Sequence, residues 1–313
     1  MKNSLLIVNN YLNIFPQRIN DQESIDTILI RDVVRHASFL SDIVNFGSLN
    51  STPSLIDSYS HILYCSSQCP RYKSFILDYI IYFQLHGKNL ISSLEHFHAH
   101  ENKVFQTLFL KNKNINYPAS RILSTYEESL EYLTQVKFPI VLKNSEGWGS
   151  KGVELIKNIR EAPNILRNYC NSESHQTQGI GKIILQEYIP NLKFDWKILI
   201  FGNLCAGLYR EVRENDFRAS GSGKFKFEAI PRKILDYAFY VKKELNLPWV
   251  SLDIASDREK LYLIEYQAIH FGLLTALKCN YHYKRIEEGY EEISGPINVD
   301  REMANQILNI LKT

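Results

Sequence analysis

The sequence predicts an α+β protein that begins with an α/β domain. Three features lead to this fold class. The first is the alternation of strand-like and helix-like segments over the first hundred residues, and the other two are hairpins with charged side chains that follow. The first hairpin contains Lys143 and a glycine-rich loop, and the second contains Asp253 and Glu265. At 313 residues the chain is long enough for two or three compact units.

The composition is typical of a soluble globular protein, with 45% hydrophobic and 22% charged residues. A net charge of +2 gives no electrostatic reason to expect a nucleic acid or an anionic membrane as a partner. No stretch approaches the roughly 18 apolar residues of a membrane-spanning helix. The five cysteines are an odd number and widely scattered, which favours reduced thiols. We therefore expect a cytoplasmic protein that binds small ligands.

The first hundred residues contain the alternating segments of the predicted α/β domain. Residues 5–8 and 62–64 have the apolar character of buried strands. Residues 26–38 are expected to form a helix, and residues 72–85 carry apolar side chains at helical spacing, with Gly87 placed to end that helix. The first turn lacks the glycines of a dinucleotide site, so this domain is expected to hold a substrate or to support the site.

Three histidines, His96, His98 and His100, occupy alternate positions before the next element. On a strand they would share one face and could bind a metal ion. Residues 101–111 are better interpreted as the start of a helix, which favours a capping or supporting role for the histidines.

The first functional hairpin is organised around Lys143. An apolar run leads into this lysine, and residues 153–156 have the pattern of a returning strand. Between them lie three glycines: Gly147, Gly149 and Gly152. They match G-x-G-x-x-G, but a dinucleotide site needs a helix directly after the glycines. Protein kinases place the phosphate-binding lysine after the loop, whereas this lysine precedes it. An ordinary glycine-rich hairpin with one stray lysine is the alternative.

Two predicted strands and an arginine-containing loop follow. Residues 183–190 form an apolar strand with a polar end, and residues 195–201 predict the next strand. The later segment Gly221-Ser-Gly-Lys is similar to a P-loop, but Arg218 replaces its first glycine. Phe225 replaces the Ser or Thr that would bind magnesium, so a Walker site is excluded.

The second functional hairpin comprises residues 249–254 and 260–267, joined by a polar turn. Such a hairpin can place Asp253 opposite Glu265, while strand alternation puts Glu265 and Gln267 on one face. Facing carboxylates repel one another unless a cation lies between them, and hard oxygen ligands suit Mg²⁺. The hairpin therefore predicts a magnesium site that holds a triphosphate.

With Lys103 at a helix start, then Lys143 and its flap, then the carboxylate hairpin, the sequence resembles the ATP-grasp superfamily. The type it resembles is that of the carboxylate–amine ligases that modify a ribosomal protein with glutamate or join two D-alanines. The resemblance covers residues 101–272. It implies that two α+β subdomains clamp ATP. The implied domains are an α/β N-terminal domain (1–100), a lid subdomain with the flap (101–189) and a C-terminal subdomain (190–313).

The resemblance also implies roles for individual side chains at the nucleotide. Lys103 and Lys143 would neutralise phosphates, and the flap would close over them. The residues implied in ATP binding are Lys103, Lys143, Gly147, Trp148, Gly149, Ser150, Gly152, Gln186, Glu187, Tyr188, Ile189, Asp195 and Lys197. The implied cofactors are ATP and Mg²⁺, with Mn²⁺ as an alternative metal.

Further roles follow from the same resemblance. Arg218, Arg210 and Lys143 would take up negative charge that develops during phosphoryl transfer. Mg²⁺ would be bound by Asp253, Glu265 and Gln267. Substrate contacts would come from Ser220, Gly221, His270 and Gly272. The chain departs from the family pattern at Gln267, where asparagine is usual, and at Lys197, where arginine is usual.

The implied activity is that of a ligase in which ATP phosphorylates a carboxylate and an amine attacks the acyl phosphate to form an amide. The implied partners are small-molecule or peptide carboxylates and amines, and the protein could itself form a homodimer. Two alternatives stay open. One is a kinase of the same fold that phosphorylates a hydroxyl group, and the other is a non-catalytic nucleotide-binding protein.

Overall fold

A computed structural model describes residues 3–17, 24–145, 152–170, 180–190, 192–214, 216–257 and 259–313. Their strands form three larger sheets and one short ribbon, with helices packed against the sheets. This mixture confirms the predicted α+β class. Within the described ranges, no helix combines the length and the apolar character that crossing a membrane requires.

The N-terminal sheet is parallel, and helices connect its strands. The strands of the whole N-terminal region are β1 (Ser4–Asn9), β2 (Phe15–Pro16), β3 (Ser24–Ile25), β4 (Leu40–Asn45), β5 (His61–Tyr64) and β6 (Asn89–Ile91). The helices are α1 (Thr27–His36), α2 (Phe46–Leu49), α3 (Pro70–Leu85) and α4 (Leu94–Ala99), with a 3-10 helix at Pro53–Ser58. The sheet order is β4-β1-β5-β6, and β2 with β3 forms the ribbon. The predicted α/β character of this region is confirmed.

Local sequence signals account for the ends of these helices. Asp26 caps α1, since its carboxylate accepts a hydrogen bond of 3.0 Å from the Leu29 N–H. Gly87 follows α3 with a φ of 68°, a left-handed conformation that glycine adopts without steric cost. Both helices lie within one or two residues of the ranges predicted from the sequence.

The second sheet is smaller and has its own hydrophobic core. The helices around it are α5 (Lys103–Leu110), α6 (Tyr126–Leu133) and α7 (Ala162–Cys170). Its strands are β7 (Ser120–Thr125), β8 (Ile140–Asn144), β9 (Val153–Ile156) and β10 (Ile180–Glu187). They pair in the order β7-β10-β8-β9. Strands β8 and β9 are antiparallel, with Lys143 opposite Val153, which confirms the predicted hairpin and the prediction that no dinucleotide-type helix follows Gly152.

The third sheet has seven strands. They are β11 (Phe194–Phe201), β12 (Leu204–Glu211), β13 (Phe225–Lys226), β14 (Trp249–Ser256), β15 (Leu261–Gln267), β16 (Tyr281–Ile286) and β17 (Gly289–Ser294). The helices are α8 (Arg232–Leu245), α9 (Leu274–Leu277) and α10 (Val299–Lys312). The order is β15-β14-β11-β12-β16-β17, and β13 pairs with β12. The charged, aromatic segment around Tyr281 forms the hairpin β16–β17.

The N-terminal sheet and the third sheet share one continuous core. Helix α10 packs on both α1 and β11, and the Asp26 N–H donates to Asp300 Oδ1 over 3.0 Å. The second sheet therefore lies beside a larger body built from both ends of the chain.

Candidate active site

Two adjoining cavities bring together most of the side chains that the sequence singled out. The predicted residues that line the first cavity are Lys103, Lys143, Gln186, Glu187, Tyr188, Ile189, Asp195, Arg218, Ser220, Asp253 and Glu265. The second cavity has a volume of about 440 Å³. The predicted residues that line it are Lys197, Arg210, Ser220, Gly221, Asp253, Glu265, Gln267, His270 and Gly272. Asp253, Glu265 and Ser220 contribute to both cavities.

Contacts between α5 and β8 hold two lysines at the first cavity. Asn102 caps α5, and its Oδ1 also accepts from the Ser145 hydroxyl over 3.1 Å. Lys103 is the first residue of the helix, and its N–H donates to the Ser145 carbonyl over 2.9 Å. Burial, and secondarily the neighbouring Lys103, lower the pKa of Lys143 to about 8 in spite of nearby carboxylates. A polyanion bound between the two ammonium groups would stabilise both.

Aromatic and apolar side chains form another part of the first cavity. Tyr188 follows β10 and meets the Phe217 ring at a near-perpendicular angle, with centroids 6.2 Å apart. Ile189 and Val141 add apolar surface. The Gln186 amide donates to the Ser120 hydroxyl over 2.8 Å, so this side chain contacts the neighbouring strand β7. Such a lining suits a planar aromatic base, which packs on apolar and aromatic groups.

Arg218 joins the loop after β12 to strand β9. Its Nε and Nη2 donate to the carboxylate of Asp216, the Nη2–Oδ2 distance being 2.7 Å. Its Nη1 donates to the Val153 carbonyl over 3.0 Å. Arg218 thus lines the first cavity, and Asp216 of the loop and Val153 of strand β9 hold its guanidinium.

The carboxylate hairpin has the predicted register. Asp253 on β14 lies directly opposite Glu265 on β15, and on its other side it faces Lys197 on β11. Lys197 Nζ is 3.2 Å from one Asp253 oxygen, and Arg210 Nη2 is 2.9 Å from the other. Burial opposes ionisation of Asp253, but Arg210 and Lys197 outweigh it and lower the pKa of this carboxyl to about 2. Asp253 is therefore charged at neutral pH.

Arg210 connects this hairpin to the neighbouring strand pair. Its Nε and Nη2 donate to the two oxygens of Asp195 over 2.7 and 2.8 Å, a bidentate geometry. Asp195 lies opposite Arg210 in the β11–β12 register, so the hairpin itself sets this pair. The side chains of Asp195 and Arg210 are only 9% and 12% exposed. Asp195, Arg210 and Asp253 form one buried charge network.

The three histidines before α5 lie in and after a helix, not on a strand. Helix α4 contains His96 and His98, and His100 follows it. The alternative of a strand with three histidines on one face is therefore wrong. The helix predicted to start within residues 101–111 is present as α5, whereas α4 was not predicted. His96 is buried between the Tyr266 hydroxyl and the Leu245 carbonyl, at 3.2 and 3.0 Å.

His100 reaches the carboxylate hairpin through Gln267. Its Nδ1 lies 2.7 Å from Gln267 Oε1, and Gln267 Nε2 donates to Glu265 Oε1 over 2.8 Å. His100 is 1% exposed, and the His270 ring stacks on its imidazole with centroids 5.7 Å apart. Burial holds the pKa of His100 well below its usual range. The imidazole is therefore neutral at physiological pH.

The donor set fits a hard divalent cation. Asp253 and Glu265 face one another, and Mg²⁺ is usually held through one or two carboxylates together with phosphate oxygens and water. In the part of the chain that the structure describes, no group of three or more His, Cys, Asp or Glu side chains has a metal-binding arrangement. A metal here would therefore depend on the nucleotide for much of its coordination.

Part of the predicted flap lies outside the described residues: Gly147, Trp148, Gly149 and Ser150. Gly152 is described and has a φ of 68° directly before β9. Its carbonyl accepts from the Asn144 N–H over 2.7 Å, and a Cβ on it would lie 2.9 Å from Asn144 Cβ. Glycine is required here because both the conformation and the close approach exclude a side chain.

Sequence reasoning missed three polar side chains that precede α5 and line the second cavity: Gln17, Gln68 and Glu101. Gln68 lies in the segment before α3, and Glu101 lies between α4 and α5. The Gln68 amide donates to Glu101 Oε1 over 2.8 Å. Glu101 has a φ of 51°, which is uncommon outside glycine and asparagine. In the sequence, the one signal for Glu101 as a site residue is its position directly before Asn102 and Lys103.

A family model described as "RimK-like ATP-grasp domain" matches residues 100–273 of the chain, which is more than half of its length. The alpha-aminoadipate–LysW ligase LysX of Saccharolobus solfataricus is 28% identical over 170 residues, covering 53% of this chain and 60% of that protein. LysX of Sulfurisphaera tokodaii is 25% identical, covering 52% and 57%. The match thus spans less than two thirds of either relative.

Solved structures share the architecture at low identity. The RimK-domain ATP-grasp protein of Sphaerobacter thermophilus has a TM-score of 0.55 at 12% identity, covering 84% of this chain and 90% of that chain. The macrocyclase MdnC of Microcystis aeruginosa, solved with its precursor peptide MdnA, has a TM-score of 0.58 at 11% identity, covering 98% and 99%. At these identities the likeness concerns the fold alone.

Proposed function

Because the chain belongs to the family of RimK-like ATP-grasp domains, we propose that it is an ADP-forming carboxylate–amine ligase. In the proposed reaction a substrate carboxylate oxygen attacks the γ-phosphorus of ATP, and ADP leaves. An amine then attacks the acyl phosphate carbon, the carbon–oxygen bond to phosphate breaks, and an amide and inorganic phosphate are released. One observation carries the proposal: the facing carboxylates Asp253 and Glu265 form a wall shared by two cavities.

The first cavity has the chemistry that ATP requires. Tyr188 and Phe217 offer an aromatic edge for adenine, and Lys103 and Lys143 offer positive charge for the phosphates. A triphosphate that extends from the aromatic part to the lysines would end beside Asp253, where the second cavity begins. The γ-phosphate would then meet the second substrate at the shared wall.

Asp253 and Glu265 would hold Mg²⁺, or Mn²⁺, on the phosphates. When bound, the metal would neutralise phosphate charge and polarise the γ-phosphate. Arg210 lines the second cavity at Asp253. It would stabilise negative charge on the substrate carboxylate and on the phosphoryl group that is transferred. Arg218, held by Asp216 at the first cavity, would do the same from the side of strand β9.

The second cavity would bind both the carboxylate and the amine. Its cations, Lys197 and Arg210, are both paired with Asp253 along the sheet. On the N-terminal side it offers the Glu101 carboxylate, held by Gln68. Burial raises the pKa of Glu101. A cationic amine bound beside it would lower the cost of its charge, and the amine would pass a proton to this carboxylate before it attacks as the neutral base. We place the amine on this side and the carboxylate near Arg210.

The name of the LysX relatives describes the joining of α-aminoadipate to LysW. For the present chain we propose that the substrates are a small-molecule or peptide-borne carboxylate and an amine such as an amino acid. We expect it to act in the cytoplasm, where the five cysteines, all free in the structure, would stay reduced. A homodimer remains an expectation that light scattering of the purified protein would test.

Phosphorus NMR of ATP, Mg²⁺ and the protein, with pooled carboxylates and amines, tests the reaction class. We expect ADP and inorganic phosphate only when both pools are present. Replacing the amine pool by hydroxylamine should still give ADP, together with a hydroxamate that reports the acyl phosphate. A new phosphate ester would indicate a kinase, and AMP with pyrophosphate would contradict the acyl phosphate route.

The Glu265→Gln variant should lose turnover at least 100-fold while keeping its fold. Glu211→Gln is the matched control, because Glu211 also lies on a strand of the third sheet, but its carboxylate pairs with the exposed Lys226 and lines neither cavity. Full activity of Glu265→Gln would remove the metal assignment.

A further inference from the structure

Gln267 lies at the centre of a directional hydrogen-bond chain. Its side-chain amide contacts His100 at one end and Glu265 at the other, at 2.7 and 2.8 Å. An ionised carboxylate can only accept hydrogen bonds, so the amide nitrogen must face Glu265. The amide oxygen then faces His100, and the imidazole must carry its proton on Nδ1. Hydrogen-bond donation therefore runs from His100 to Gln267 and from Gln267 to Glu265.

Neighbouring groups hold both the backbone and the imidazole of His100. The side chain is 1% exposed, the His270 ring stacks on it, and its own carbonyl accepts a hydrogen bond from the Lys73 ammonium. His100 also follows α4, where its N–H donates to the carbonyls of that helix. A ring held this firmly orients the amide that accepts from it.

Strand geometry accounts for the other half of this hydrogen-bond chain, the contact between Gln267 and Glu265. Glu265 and Gln267 are two residues apart on β15, so their side chains lie on the same face of the sheet. Asp253 lies directly opposite Glu265, and Ser251 lies opposite Gln267. The amide of Gln267 is thus placed beside the carboxylate pair.

We propose that Gln267 is a positioning residue and not a metal ligand, and that His100 from the N-terminal region acts through it to orient Glu265. This inference rests on the metal–nucleotide site proposed above. In that site the metal takes its protein oxygens from Asp253 and Glu265. The longer glutamine, in place of the asparagine usual in the family, serves to span the distance between the imidazole and the carboxylate. Outer hydrogen-bond partners of this kind change metal affinity about 10-fold to 100-fold when they are removed.

Mn²⁺ binding in the presence of ADP, measured by electron paramagnetic resonance of the free ion, tests the proposal without turnover. His100→Leu and Gln267→Leu should each weaken Mn²⁺ binding about tenfold. The double variant should be no weaker than either single variant, because both changes break the same chain. His100→Asn, whose amide nitrogen can replace Nδ1 as the donor, should bind within threefold of the unchanged protein.

Gln267→Glu separates the two roles of this position most sharply. A direct ligand would gain a charged oxygen, so Mn²⁺ binding would stay equal or become tighter. A positioning residue would lose its only donor and bring a second negative charge beside Glu265, so binding should weaken more than tenfold. His282→Leu is the matched control, because the Nδ1 of this buried histidine donates to a backbone group, the Gly295 carbonyl, over 2.9 Å, away from both cavities.

Three results would overturn the proposal. They are tighter Mn²⁺ binding by Gln267→Glu, unchanged binding by His100→Leu beside weakened binding by Gln267→Leu, and additive losses in the double variant. Circular dichroism establishes whether each variant is folded. If His100→Leu does not fold, Mn²⁺ binding by Gln267→Glu alone decides between a metal ligand and a positioning residue. Binding of ADP but not Mn²⁺ by the unchanged protein would overturn the metal site itself. Binding of neither would instead overturn the proposed function.

Discussion

Removing the Arg210 guanidinium should expose how much the buried charge network contributes to stability. Arg210→Met keeps most of the aliphatic length but leaves Asp195 without its two hydrogen bonds of 2.7 and 2.8 Å. Asp253 keeps Lys197 at 3.2 Å, so Asp195 becomes the main uncompensated charge. This network lies inside the third sheet, which makes the fold itself sensitive to the change.

The magnitude follows from burial. The side chains of Arg210 and Asp195 are 12% and 9% exposed, so water replaces the lost partner only in part. Removing one member of a buried ion pair typically costs about 3–5 kcal/mol. We expect the free energy of unfolding of Arg210→Met to fall by about 3 kcal/mol. Adding Asp195→Asn removes the orphaned charge and should recover at least half of that loss.

Urea unfolding followed by tryptophan fluorescence measures the effect. Burial raises the pKa of Asp195 even beside Arg210, and without the arginine the pKa of the folded state rises further. The penalty therefore grows as the pH rises from the unfolded pKa through that higher folded pKa. The deficit of Arg210→Met should therefore be smaller at pH 5 than at pH 8. Lys226→Met is the control: its partner Glu211 is exposed, and no measurable change is expected.

A loss below about 1 kcal/mol for Arg210→Met would refute this reasoning, because it would place Asp195 in contact with water. A double variant with Asp195→Asn that is less stable than Arg210→Met would also contradict it. In that case the arginine would act mainly through packing and not through its charge.

Three further predictions concern packing, protonation and accessibility. Gly207→Ala should lower the free energy of unfolding by about 1–3 kcal/mol in the same urea assay, because its Cβ would lie 2.6 Å from both Ile198 and Ile230. Near pH 8 about half of the Lys143 side chains are charged, and ATP should raise this pKa, so calorimetry in two buffers should show uptake of up to about half a proton. Lys143→Arg should abolish that uptake. A thiol reagent should react rapidly with one of the five cysteines, the exposed Cys69, and slowly with the four buried ones.

Local signals in the sequence were sufficient to predict most of the strands and turns near the site. The apolar run before Lys143 predicts β8, the glycines predict its turn, and the returning strand follows within a few residues. Asp253 and Glu265 lie on strands joined by a short turn, and a hairpin sets its own register, so their opposition is predictable. The roles assigned to Arg218 and the substrate residues rest on resemblance and stay predictions.

Only the tertiary structure decided which distant groups meet. Strand β11 could pair with many partners, and its position between β14 and β12 brings Arg210 and Lys197 to Asp253. His100 meets Gln267 across 167 residues of sequence, and no periodicity or spacing relates them. By itself, the sequence determined helices α1, α3 and α5, the two hairpins and the opposition of Asp253 and Glu265. Contacts between distant segments depend instead on how whole sheets and helices pack, because that packing buries apolar surface along the entire chain.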